Sequence, residues 1–122
     1  MRKLFLPLAA GALIACAGLM AAPATTADGA LVGPNGMTLY MFDRDAAGSG
    51  KSACSGACAT LWPPFTASDS DQASGDYQVI VRDDGKKQWA YKGKPLYYFS
   101  RDSKAGDKSG DGFNQAWKAA RP

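Results

Sequence analysis

The chain has 122 residues, 46% of them hydrophobic and 20% charged, with a formal net charge of +3. That is one domain's worth of chain, neither disordered by composition nor basic enough to imply a nucleic-acid partner. It has no His, and all 11 acidic residues are Asp, which excludes Ser-His-Asp and Cys-His nucleophiles, His-ligated zinc, CxxCH haem attachment and any Glu acid or base.

Met1-Arg2-Lys3 opens a basic segment, and residues 4–15 follow without a charge. A basic start, a short apolar run and a small-residue exit read as a secretory signal peptide over residues 1–15, too short for a spanning helix of ~20 apolar residues. Leu13-Ile14-Ala15-Cys16 resembles the bacterial lipobox, in which cleavage precedes the Cys and the thiol is diacylated. Cys16 is therefore the expected lipidation site and the membrane the expected partner, since two or three acyl chains anchor stably where one does not. The competing reading leaves Cys16 inside the apolar segment, with cleavage near Ala22-Pro23-Ala24 and a soluble secreted or periplasmic product. Ala17 in place of Asp favours the periplasmic side of the outer membrane in a Gram-negative host. Loss of Arg2 and Lys3 leaves 12 basic against 11 acidic residues, so the basic excess falls to one charge. Residues 16–29, small and polar with a Pro, read as a tether.

From residue 30 onward the chain repeats itself. Gly36, Leu39, Tyr40, Phe42, Arg44 and Asp45 recur at a constant offset of 57 as Gly93, Leu96, Tyr97, Phe99, Arg101 and Asp102. Each copy is followed by a Gly/Ser/Lys-rich loop and a Trp, Trp62 and Trp117. The reading is one domain, 30–122, of two repeats (30–65 and 77–120) joined by the polar linker 66–76, because neither half alone buries much core. Leu39-Tyr40-Met41-Phe42 and Leu96-Tyr97-Tyr98-Phe99 read as strands, with Tyr and Phe assigned to the inward face. Residues 30–32 with the Gly33-Pro34-Asn35-Gly36 turn precede the first. A hairpin across Asp83-Asp84-Gly85 (78–81 with 88–91) precedes the second. Residues 58–62, stopped by Pro63-Pro64, and 114–120 read as short helices. The expected fold is mainly β with minor α: an antiparallel sheet with two short helices.

With these motifs in place, the chain resembles a family of predicted bacterial lipoproteins with a repeated Y-x-[FWY]-x-x-D motif, also described as a secreted repeat of unknown function. Tyr40, Phe42 and Asp45, and Tyr97, Phe99 and Asp102, match the two motif copies. Cys54-Ser55-Gly56-Ala57-Cys58 with Leu61-Trp62-Pro63-Pro64 is similar to the family's C-x-G-x-C-A-x-x-W-P-P segment. Many relatives place a His after the last Trp, where this chain has Lys118, so a metal or redox role resting on that His does not carry over. The resemblance implies location and fold rather than an activity.

Cys54 and Cys58 are the remaining thiols. In an exported domain they read most simply as a structural disulfide; the alternative is an electron-exchanging or Cu(I)-binding pair near Met37 or Met41. Asp45 and Asp102 can accept hydrogen bonds from loop amides or from a motif Tyr of the other repeat, or act as an acid and base across the repeats. Asp107-Lys108-Ser109-Gly110-Asp111-Gly112 matches the start of a calcium loop, but Lys118 stands where the closing Glu is required. Tyr98 and Trp89, if on the solvent face, would form an aromatic patch. The sequence-level expectation is a lipid-anchored envelope module without catalytic residues, metal or cofactor, acting on an envelope protein or the cell wall; its alternative is a redox or soft-metal protein.

Overall fold

A computed structural model describes residues 22–122. The signal, the lipobox and Cys16 lie outside the described residues.

The fold is mainly β, with all strands paired antiparallel in three small sheets rather than one continuous sheet. β1 (Thr25–Ala27) pairs with β2 (Ala30–Val32). Asp28 (φ 52°) and Gly29 (φ 80°) connect them with the two left-handed residues that a type I′ hairpin needs. Residues 25–27, read from the sequence as tether, thus belong to the folded domain. β3 (Tyr40–Phe42) follows, then the helix α1 (Ala57–Leu61). β4 (Tyr77–Val81), β5 (Lys87–Tyr91) and β6 (Lys94–Pro95) form the meander expected around Asp83-Asp84-Gly85. The last strand, β7 (Trp117–Ala119), pairs with β3.

The second expected helix, 114–120, is not there: Phe113–Gln115 is a 3-10 turn and β7 takes the rest. The cause is length and a competing partner. From motif Asp to Trp the second repeat is two residues shorter than the first. Residues 117–119 meanwhile find the open edge of β3, where Phe42 faces Trp117.

The duplication is a duplication of hydrogen bonds. Asp45 N donates to Phe42 O (3.0 Å) as Asp102 N does to Phe99 O (3.1 Å), and Asp43 N reaches Ala116 O (2.8 Å) as Ser100 N reaches Leu61 O (2.9 Å). Ala120 N donates to Leu39 O (2.8 Å) where Phe65 N donates to Leu96 O (2.9 Å). In the last two pairs the partners come from opposite repeats. The segment ending the first repeat bonds to the second, with Pro64 bridging Tyr97, and β7, ending the second repeat, bonds to the first. The repeats have exchanged their final strands.

At the centre of this exchange the two motif tyrosines bridge one another, Tyr40 N to Tyr97 O at 2.7 Å and Tyr97 N to Tyr40 O at 3.0 Å. Equivalent residues bonding reciprocally is the signature of an isologous interface, here folded into one chain as a pseudo-twofold axis. Both faces of the motif strands pack on apolar clusters, Met41 and Tyr98 on the second face only half-buried. Tyr40, Phe42, Tyr97 and Phe99 join Trp62 and Trp117 in one apolar cluster; Leu39 and Leu96 sit in a second with Phe65, Tyr77, Trp89 and Tyr91. The single inward face expected from Tyr/Phe alternation is half of the core, because Leu39 and Leu96 on the other side are also fully buried.

Candidate functional site

The motif residues converge on that axis. Tyr40 Oη donates to Asp102 Oδ2 at 2.7 Å, and Tyr97 Oη donates to Asp45 Oδ2 at 2.5 Å. Each motif tyrosine therefore bonds the aspartate of the other repeat, 62 and 52 residues away in sequence. The remaining carboxylate oxygens are met by the following loops: Ala53 N donates to Asp45 Oδ1 at 2.6 Å, while Ser109 N (3.1 Å) and Ser109 Oγ donate to Asp102 Oδ1. All four residues are buried. Burial foremost, then the aspartate partner, pushes both phenols well above their ordinary value.

Arg82 and Gln88 make the site asymmetric. Arg82 Nη1 donates to Ser52 Oγ (3.0 Å) and Gln88 Oε1 (2.8 Å), and Nη2 to the Cys54 carbonyl (2.6 Å). Ser52 Oγ lies 2.6 Å from Tyr97 Oη. Taken with the hydroxyl of Ser52 as donor, the chain runs from Arg82 through Ser52 and Tyr97 to Asp45, a buried cation reaching a buried anion through two hydroxyls. The buried Gln88 closes the network by donating to Leu96 O at 2.7 Å. In the structure Leu31 and Trp89 make equivalent bonds, to Ala120 O and Phe65 O and from Leu39 N and Leu96 N. This sets Ala30 opposite Gln88, and the two-residue β1–β2 turn has no position equivalent to Arg82, so the second site has no counterpart. Neither residue stands out in the sequence, since Arg82 opens a charged turn and Gln88 falls within a strand of the hairpin. The missing repeat equivalents were the available signal.

Cys54 and Cys58 form a disulfide with Cα atoms 5.2 Å apart. It ties the Ser52–Cys54 loop to α1, whose following Trp62 stacks on Trp117 with ring centroids 3.8 Å apart. Phe42 stacks on the Trp117 ring and Phe99 on the Trp62 ring, each at 4.2 Å, so the four rings form one column across the axis. Cys54 is fully buried. Met41 packs against the other apolar cluster, so the structure does not bring it to the cysteines.

Other candidates separate. Asp107 Oδ2 accepts from Ser103 N and Lys104 N, which hold its carboxyl below the ordinary range, while Asp111 bonds Ala119 N and Arg121. The calcium-loop residues thus serve different partners, and Lys118 pairs with Asp43 at 3.3 Å. The conditional aromatic patch does not form: Trp89 is 6% exposed and Tyr98 is half-buried, packed on the same cluster as Trp89. Among the described residues every buried side-chain polar atom has a hydrogen-bond partner, and no group of three or more potential metal-ligating side chains gathers. No helix among them is long and apolar enough to cross a membrane.

A family model described as a secreted repeat of unknown function matches twice, over residues 22–66 and 78–121. Those stretches are the two structural repeats, each with its exchanged final strand. No curated protein and no solved structure matches the chain.

Proposed function

Because the chain belongs to this family of secreted repeats of unknown function, we propose that it is an exported, lipid-anchored module of the cell envelope that acts by binding rather than catalysis. The observation supporting this reading is the closure of its motif site. The hydroxyls and carboxylates of Tyr40, Asp45, Tyr97 and Asp102 are buried and engaged with one another or with adjacent loops. A general acid or base must reach the proton it moves, and these groups reach each other. The disulfide supports service in an oxidising compartment. The lipobox-like Leu13-Ile14-Ala15-Cys16 supplies the anchor, and with β1 beginning at Thr25 at most residues 16–24 separate lipid from domain, ~30 Å fully extended. The partner is an envelope protein or the cell wall.

The test is metabolic labelling with palmitate. Wild type should incorporate label and sediment with membranes, while Cys16→Ser should lose the label and appear in the soluble exported fraction. An unlabelled wild type, or a labelled Cys16→Ser, would overturn the anchor.

A further inference from the structure

The strand that ends the second repeat rests on the first. β7 is the last element, and its contacts lie on the first repeat: register pairs Tyr40 with Ala119, Met41 with Lys118 and Phe42 with Trp117, and Leu31 N donates to Ala120 O at 2.8 Å. Trp117 sits in the column between Phe42 and Trp62. The segment that turns the chain back to make these contacts is strained. Asn114 (φ 52°) and Gln115 (φ 57°) are consecutive non-glycine residues in the left-handed region, just after Gly112 (φ 85°), a conformation L-residues adopt at a cost. Within it the chain is closed by the tight-turn bonds Gln115 N to Gly112 O and Ala116 N to Phe113 O, both 3.0 Å, and by Gly112 N to Trp117 O at 2.8 Å, while Ala116 O accepts from Asp43 N of the first repeat at 2.8 Å.

We propose that β7 is exchanged between two copies of this chain, with residues 112–116 opening as the hinge and each β7 seating on the β3 of the other copy. Exchange recreates the contacts of β7 with β3 and the core, and also Ala119 N to Asp111 Oδ1 (2.9 Å), because Asp111 precedes the hinge and stays with the host; Gly112 N to Trp117 O, made by the hinge itself, is given up. What changes is the hinge, which loses its short turn bonds and sheds two left-handed residues per chain. A short strained hinge beside an end strand is the arrangement that favours such swapping. The balance between closed monomer and exchanged dimer then follows protein concentration against the effective concentration of the chain's own β7.

The experiment uses the full chain with Cys16→Ser, held at high concentration just below its unfolding temperature and then sized by chromatography. A dimer should form that returns to monomer only slowly on dilution. Asn114→Gly with Gln115→Gly relieves the closed hinge of both chains, four left-handed residues per dimer, and should weaken the dimer about a thousandfold. Met41→Cys with Lys118→Cys reports the connectivity, since these positions are register partners. Oxidation of the dimer should give a covalent dimer dependent on both cysteines and absent from Lys118→Cys alone. A chain that stays monomeric at every concentration, or a dimer whose 41–118 links are all within one chain, would overturn the proposal.

Discussion

The Tyr–Asp pairs set the alkaline limit of the protein. Tyr40 and Tyr97 carry phenols whose burial and aspartate partners raise them above the usual value of about 10. As pH passes 10 the unfolded chain releases those protons first, so the native state binds more protons and stability falls as pH rises. Two such tyrosines give a slope of about 2.7 kcal/mol per pH unit above pH 10, to which Tyr77 and Tyr98, also raised by burial, add. Urea unfolding between pH 7 and 11.5 measures the slope, and Tyr97→Phe should remove about 1.4 kcal/mol per pH unit of it. The motif residues themselves were legible in the sequence, since spacing alone identified Tyr40, Phe42, Asp45 and their copies. Arg82 and Gln88 were not, because the only signal they carry is the lack of an equivalent in the first repeat, and nothing in the sequence says that they are buried. Arg82 is covered by the Ser52–Cys54 loop, 28 to 30 residues away in sequence, and Gln88 bonds Arg82 and Leu96 O.

Among the elements, the aromatic column and the disulfide loop fix how the repeats close. Gly110 sits beneath the column: a Cβ there would lie 2.6 Å from Trp62 and 3.0 Å from Phe99. Gly110→Ala should therefore cost about 1–3 kcal/mol, as overpacking of a filled core does, read as a drop in melting temperature. The Cys54–Cys58 loop is short, and Cys54→Ser with Cys58→Ser should lower stability by about 2 kcal/mol in chemical denaturation. The motif strands, the β4–β5 hairpin and α1 were visible as apolar runs bounded by Gly, Asp and Pro. β7 was not, since Trp117-Lys118-Ala119-Ala120 is favourable in a helix and becomes a strand only because β3 offers an edge. β1 was hidden for a related reason: Asp28-Gly29 is a hairpin signal, but Thr25, Thr26 and Ala27 are exposed and carry no apolar alternation.

Across the whole molecule the duplication is the organising fact, and the sequence displayed it as an offset without revealing its geometry. Two repeats could have packed side by side, each closing its own sheet and bonding its own Tyr to its own Asp. Instead the final strands cross over and the hydroxyl–carboxylate pairs cross with them, so neither repeat is complete without the other. That crossing is what leaves the motif site closed, and it underlies both the binding-module reading and the exchange of β7. It is tested most directly by double-mutant cycles on unfolding free energy, combining Tyr40→Phe and Tyr97→Phe with Asp45→Asn and Asp102→Asn. Coupling of about 1–3 kcal/mol is predicted for Tyr40 with Asp102 and for Tyr97 with Asp45, and within about 0.5 kcal/mol of zero for Tyr40 with Asp45 and Tyr97 with Asp102. Coupling confined to the pairs within each repeat would contradict the account.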